Sequence, residues 1–186
     1  MNLITERLIL REYTMEDKYN LYELFSKEYV IQDAPYLRKK SISDVNEYIR
    51  FYIDNAKSSN RTYYFIIELQ PTCDFIGIVG YSLVGEEMNI RCVTGASVEI
   101  EYYLLEKYWH KGYMSEALKR LLKFAFEENS VQKAFAVCQI ENVKSEKVMV
   151  KCGMYKSAEQ PEPKMYNGVL KERLKYELVS DNYFRV

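Results

Sequence analysis

The sequence contains one histidine, His110, and no Cys-x-x-Cys pair, since its four cysteines, Cys73, Cys92, Cys138 and Cys152, stand far apart. Zinc sites built from four cysteines, or from two cysteines and two histidines, need closer spacing and more ligands, so no metal is expected. No apolar run approaches the ~20 residues that a membrane-spanning helix requires. The opening MNLITERLIL lacks a basic stretch followed by an apolar signal core. These absences point to a cytoplasmic protein with reduced cysteines, Cys138 and Cys152 being read as buried free thiols rather than nucleophiles.

One sign of charge is also missing in excess. Lys and Arg total 26 against 27 Asp and Glu, a net charge of -1, and both signs are scattered through the chain. Such a balance creates no field for nucleic acid or an anionic membrane. Neither the G-x-x-x-x-G-K-[ST] phosphate loop nor the G-x-G-x-x-G fingerprint is present, which leaves nucleoside triphosphate and dinucleotide sites without support. Repeats, low-complexity tracts and interdomain linkers are lacking as well.

What is present specifies a folded chain. It has 186 residues, 48% of them hydrophobic, with 18 Tyr and 8 Phe, and a single domain over 1–186 is expected. Glu6 to Glu12 reads as a short strand, followed by a helix start at Thr14 with Glu16 and Asp17 in its first turn. Val45, Tyr48, Ile49, Tyr52, Ile53 and Ala56 recur at helical spacing, with Ser43 as the expected cap. Thr62 to Leu69, Phe75 to Val84 and Ser97 to Leu105 are rich in β-branched and aromatic residues. They predict an antiparallel meander, with a loop over Gly85 to Gly95. Met114, Ala117, Leu118, Leu121, Leu122 and Ala125 mark a second amphipathic helix, followed by a strand over Lys133 to Gln139. Asn142 caps a helix to about Cys152, Gly153 ends it, and Arg173 to Val179 is a final strand.

The chemistry concentrates between Ser97 and Ser115, where a strand runs through Tyr108-Trp109-His110-Lys111-Gly112-Tyr113-Met114-Ser115 into the helix. A strand-loop-helix junction aims unpaired backbone N–H groups and the positive end of the helix dipole at one point, a fit for phosphate. Gly112 allows close backbone approach, Lys111 adds charge, and Ser115 caps the helix or bonds a phosphate oxygen. An ordinary connection is the bland alternative.

Glu99-Ile100-Glu101-Tyr102-Tyr103-Leu104 together with Tyr108 to Ala117 resembles the acetyl-coenzyme A signature of the GNAT superfamily. The branch it most resembles contains the ribosomal-protein N-terminal acetyltransferases. Thr5-Glu6-Arg7-Leu8-Ile9-Leu10-Arg11 is similar to that branch's first strand. Asn142-x-x-Ser145-x-x-Val148-Met149-x-Lys151-x-Gly153-Met154 is similar to its segment after the fifth strand, and Asn167-Gly168 through Tyr176 to its closing turn and strand. In the general pattern [Q/R]-x-x-G-x-[G/A], Trp109 and Met114 are departures.

The resemblance implies an α/β (α+β) fold: a mixed, mostly antiparallel sheet of about seven strands with helices on both faces. It implies acetyl-coenzyme A as co-substrate and a primary amine, a peptide N-terminus or a small molecule, as acceptor, in a monomer or homodimer. Pantetheine is expected against the backbone of Tyr103, Leu104 and Leu105 and beside Asn142, with the pyrophosphate on Lys111, Gly112, Tyr113, Met114 and Ser115. Glu99 is the implied base, with Glu101 as substitute or amine anchor, and Ser145 the implied proton donor to the departing thiolate. Strand alternation separately puts Glu99, Glu101 and Tyr103 on one face and Val98, Ile100, Tyr102 and Leu104 on the other. Like charge and desolvation would then raise a carboxylate pKa, although a solvated strand face reads the same way. Tyr22, Phe25, Tyr29, Tyr36, Tyr48 and Tyr52 lie in the region that borders the acceptor in this family. A non-catalytic coenzyme A-binding module on the same fold is the rival reading.

Overall fold

A computed structural model of the protein describes residues 1–58, 62–83, 95–166 and 168–184. The expected loop over residues 85–95 therefore lies, but for Gly95, outside the described residues, as do Val84, Cys92 and Asn167. Strands β1 (Asn2–Ile4) and β2 (Leu8–Arg11) are followed by helices α1 (Lys18–Phe25), α2 (Glu28–Asp33) and α3 (Ile42–Asn55). Next come β3 (Tyr63–Leu69), β4 (Asp74–Leu83), β5 (Ser97–Leu104), α4 (Tyr113–Lys123) and β6 (Lys133–Gln139). The chain closes with α5 (Val143–Lys151), β7 (Tyr155–Lys156), β8 (Lys164–Tyr166), β9 (Val169–Lys171), β10 (Arg173–Val179) and α6 (Ser180–Tyr183).

Eight strands form one sheet in the order β1-β2-β3-β4-β5-β6-β10-β7, and β8 and β9 form a separate hairpin. This agrees with the expected sheet of about seven strands; the short edge strands β1 and β7 carry too little periodicity to be read from sequence. The β5–β6 pair is parallel and the other described pairs are antiparallel. A parallel pair needs a crossover, and α4 supplies it.

Each face of the sheet buries its own core. Val79, Tyr81, Val98 and Ile100 pack with Leu118, Leu121 and Met149 of α4 and α5 on one side. Ile66 and Ile78 pack with Leu24, Val45 and Ile49 of α1 and α3 on the other. Alternation along β5 thus turns Glu99, Glu101 and Tyr103, which the sequence puts on one face, toward the α1–α3 side.

Three local details differ from expectation. Ser41, not Ser43, caps α3: its backbone is extended, and its side chain accepts from the Asp44 N–H at 3.2 Å. Ser43 already lies in the first helical turn. Thr14 precedes a 3-10 turn, Met15–Asp17, and its N–H donates to Asp17 Oδ2 at 2.7 Å. The second amphipathic helix stays α-helical only to Lys123, continuing as a π-turn over Phe124–Glu128.

Candidate active site

The site begins where β5 and β6 part. Their register pairs Ser97, Val98 and Glu99 with Lys133, Ala134 and Phe135, and goes no further, although β5 continues to Leu104 and β6 to Gln139. The Leu105 N–H donates to Ile76 O of β4 at 2.9 Å. By antiparallel alternation, the backbone polar groups of Tyr102 and Leu104 therefore face the opening. The Leu104 carbonyl accepts from Trp109 Nε1 at 2.9 Å and Tyr29 OH at 3.2 Å, which ties the loop after β5 to α2. A cleft of about 940 Å³ fills the gap.

The N-terminus of α4 opens on this cleft. Gly112 is its N-cap, with φ of 80°, and the first intrahelical bond runs from Glu116 N–H to Gly112 O at 3.0 Å. The N–H groups of Tyr113, Met114 and Ser115 then have no intrahelical acceptor. Gly112 adopts a left-handed backbone, a conformation in which glycine is favoured. Ser115 is not the cap: it is buried at the third helical position, where its carbonyl accepts from Cys152 Sγ at 3.4 Å. Lys111 and Leu105 stand outside the cleft, whereas Tyr103, Leu104, Gly112, Tyr113, Met114, Ser115 and Asn142 line it.

The loop is fixed from behind. Glu116 accepts from Thr5 Oγ1 at 2.6 Å, Arg7 N–H at 2.9 Å and Arg7 Nε at 2.7 Å, while Arg7 Nη1 donates to Lys111 O at 3.1 Å. Arg7 also lies 4.6 Å over the Tyr113 ring. Partial burial opposes ionisation of Glu116, but the bonds from Thr5 and Arg7 outweigh it and hold the carboxyl below its usual range.

Glu99 and Glu101 both line the cleft in different settings. Glu101 accepts from the Tyr64 hydroxyl at 2.5 Å and from the Tyr36 hydroxyl. Tyr64, Gly80 and Glu101 are register partners across β3, β4 and β5. A Cβ on Gly80 would stand 2.5 Å from the Tyr64 ring, so the absent side chain is what lets the ring lie there. Glu99 forms no hydrogen bond or salt bridge with the described residues. Burial, then the neighbouring Glu101 charge, raise its pKa, with Arg173, Lys164 and Lys175 opposing.

Across the opening, the Tyr102 hydroxyl lies 2.7 Å from Ser145 Oγ, and Ser145 N–H donates to Asn142 Oδ1 at 3.1 Å. Asn142 therefore caps α5, and its Nδ2 donates to Asp33 Oδ2 at 2.7 Å. Burial raises the Asp33 pKa, and the Asn142 bond partly offsets it. Cys138 also lines the cleft, but burial pushes its thiol up to about 11 and that of Cys152 to about 12, which removes the thiolate a nucleophile needs. Among the described residues no metal-binding group of His, Cys, Asp and Glu is present, and no helix is long and apolar enough to cross a membrane.

Reading the sequence missed Tyr102, Tyr64, Gly80 and Asp33. Tyr102 belongs to an otherwise aliphatic row, and a hydroxyl there needs a partner, which is the one signal that could have found it. Of the six aromatic residues expected near the acceptor, Tyr29 and Tyr36 line the cleft; Tyr48 and Tyr52 border a smaller hollow of about 450 Å³ beside it. Phe25 is buried in the α1–α3 core and Tyr22 packs against it. Trp109 anchors its loop through the Leu104 carbonyl, and His110 is exposed with φ of 60°.

A mixed sheet that splits between parallel strands, beside a helix N-terminus capped by glycine, makes a cleft with unpaired N–H groups at one end, fit for a phosphate-bearing ligand. The Acetyltransferase (GNAT) domain family matches residues 7–155, and the chain belongs to that family. YnaD of Bacillus subtilis, an uncharacterized N-acetyltransferase, is 29% identical over 154 residues, covering 83% of this chain and 82% of that protein. Among solved structures, RimL, a ribosomal α-N-protein acetyltransferase in complex with coenzyme A, superposes with a TM-score of 0.80 at 15% identity, covering 98% of this chain and 99% of that one. The spermidine N-acetyltransferase of Vibrio cholerae, in complex with coenzyme A and spermine, superposes with a TM-score of 0.80 at 18% identity, covering 97% and 99%. These two likenesses establish the fold.

Proposed function

We propose that this protein transfers the acetyl group of acetyl-coenzyme A to a primary amine by direct attack in a ternary complex, with Glu99 as the base. The observation that carries the reading is Glu99 itself: an unpartnered, half-buried carboxylate of raised pKa at the vertex of the opening. A base of raised pKa matches the task of drawing a proton from an ammonium. Pantetheine runs along the backbone edge of Tyr102 and the Leu104 N–H, the Leu104 carbonyl being taken by Trp109 and Tyr29. The pyrophosphate rests on the N–H groups of Tyr113 to Ser115, where no side-chain charge from Lys111 is required. The thioester then lies between Glu99 and Ser145.

In this arrangement the amine loses a proton toward Glu99 and its nitrogen attacks the thioester carbonyl. The C–S bond breaks as the amide forms: the nitrogen gives up its second proton to solvent, and the Ser145 hydroxyl, hydrogen-bonded to Tyr102, protonates the departing sulfur and regains a proton from solvent. Glu101, held by Tyr36 and Tyr64, seats the ammonium rather than abstracting from it. We further read 1–186 as one domain, and the free thiols Cys73, Cys138 and Cys152 as fitting a cytoplasmic location.

Release of free thiol from acetyl-coenzyme A with a panel of primary amines tests the reading, with Glu99→Gln as the control that binds the co-substrate without turning over. Tight binding with no turnover against every amine would support the non-catalytic module instead.

A further inference from the structure

Register places two β10 cations on the face that carries Glu99. Phe135, Val137 and Gln139 of β6 share that face with Glu99, and their β10 partners are Glu177, Lys175 and Arg173. Two inter-strand spacings, about 10 Å, separate β5 from β10 where the strands are paired. Arg173 lines the cleft, and its Nε and Nη2 donate to the Glu162 carbonyl at 2.8 and 2.5 Å. That anchoring fixes the guanidinium while leaving its charge unmatched and Nη1 uncommitted. Lys164, from the β8–β9 hairpin, lines the same cleft. Among the described residues neither Lys164, Arg173 nor Lys175 forms a salt bridge. Lys175 is partly turned aside, with its ammonium 4.6 Å over the Phe135 ring.

The cleft is thus polarised across the acceptor face: carboxylates on β5, a largely apolar strip on β6, the anchored Arg173 on β10 and the exposed Lys164 on β8. The phosphate-binding end of the cleft is elsewhere, at the N-terminus of α4. We infer that the acceptor amine carries an anionic group at least two strand spacings from its nitrogen, because Glu177 is the β10 residue level with Glu99 and Arg173 stands four residues further along, so that a peptide N-terminus with a carboxylate in its first residues fits and a polyamine does not. This rests on the acetyltransferase reading above. A polycation seated at Glu99 and Glu101 meets like charge at Arg173 and Lys164, whereas a carboxylate there gains charge-assisted bonds of the kind Arg makes well.

The test compares kcat/KM for short peptides that differ only in Glu, Gln or Lys at the second and third positions, with spermidine alongside. The Glu peptides should exceed their Gln counterparts by about tenfold, the scale of one charge-assisted bond. Arg173→Gln should collapse that ratio toward one, and Arg173→Glu should shift the preference to Lys peptides. Lys164→Gln, on an exposed hairpin, should reduce the ratio in part and guards against a folding defect at Arg173. Equal rates for Glu and Gln peptides, or spermidine as the better acceptor, would overturn the inference while leaving the acetyltransferase reading intact. A rise in KM for acetyl-coenzyme A in Arg173→Gln with the peptide ratio unchanged would assign Arg173 to the co-substrate and overturn it too. No turnover with any acceptor would overturn both.

Discussion

The Tyr64 hydroxyl reaches over the bare backbone of Gly80 to bond Glu101 at 2.5 Å, so one carboxylate of the β5 pair is held while the other, Glu99, is left open. Gly80→Ala would drive a Cβ into the Tyr64 ring and, at 2.6 Å, the Tyr63 carbonyl. It should therefore mimic Tyr64→Phe, raising KM for the amine more than it lowers kcat. Steady-state kinetics on the two variants and the double variant check this: effects that fail to add identify one shared interaction.

Glu99→Gln should lower kcat by about 100-fold or more, the range for a lost general base, and remove the acid limb of the pH–rate profile; Glu101→Gln should keep that limb. The sign for stability is opposite to that for activity. A carboxyl whose folded pKa is raised binds more protons folded than unfolded, so its contribution is present below the unfolded pKa and lost as pH rises through the folded one. Glu99→Gln should accordingly melt higher than wild type at neutral pH, with the gap closing under acid.

Glu116 behaves in reverse. Its folded pKa is lowered, so the Thr5 and Arg7 bonds stabilise at neutral pH and weaken as pH falls through that value. Glu116→Gln should cost about 1–2 kcal/mol, given charged hydrogen bonds to a partly exposed arginine. For a chain of this length that lowers Tm by about 2–4 °C per kcal/mol. It should also weaken acetyl-coenzyme A binding in calorimetry, because the loop at Lys111 and Gly112 loses its backing.

Ser145→Ala should reduce kcat by less than about tenfold, since a thiol of pKa near 8.5 departs without much acid assistance. The loss should grow with pH, as solvent protons become scarce. Tyr102→Phe removes the hydroxyl 2.7 Å from Ser145 Oγ and should show a similar, smaller effect.

Gly112→Ala should destabilise by about 1–2 kcal/mol, the cost of a left-handed backbone at a residue with a Cβ. Added contact contributes little, because the nearest atom, Arg7 Nη2, would be 3.5 Å away.

Much of the fold was legible from periodicity: the β5 alternation, the stripe Met114 to Leu122 and the Asn142 cap each report a local rule. Edge strands of three and two residues, β1 and β7, are too short to show alternation. The cap of α3 was displaced by two residues because Ser41 and Ser43 offer the same chemistry and only backbone geometry separates them. Glu99 and Glu101 were visible as a pair, but not their difference, which depends on Tyr36 and Tyr64, residues 65 and 37 positions away. Tyr102 shares its row with Val98, Ile100 and Leu104, which hides its role; its partner, Ser145, arrives from α5 only once the sheet is assembled.

The parting of β5 from β6 makes the co-substrate a substitute for a missing neighbour strand. Amide hydrogens at Tyr102 and Leu104 should exchange with deuterium quickly in the free protein and slowly once coenzyme A is added, while those bonded to β4 change little. The ligand would then act as mortar between the two halves of the sheet, lifting the melting temperature in proportion to the logarithm of its concentration above Kd.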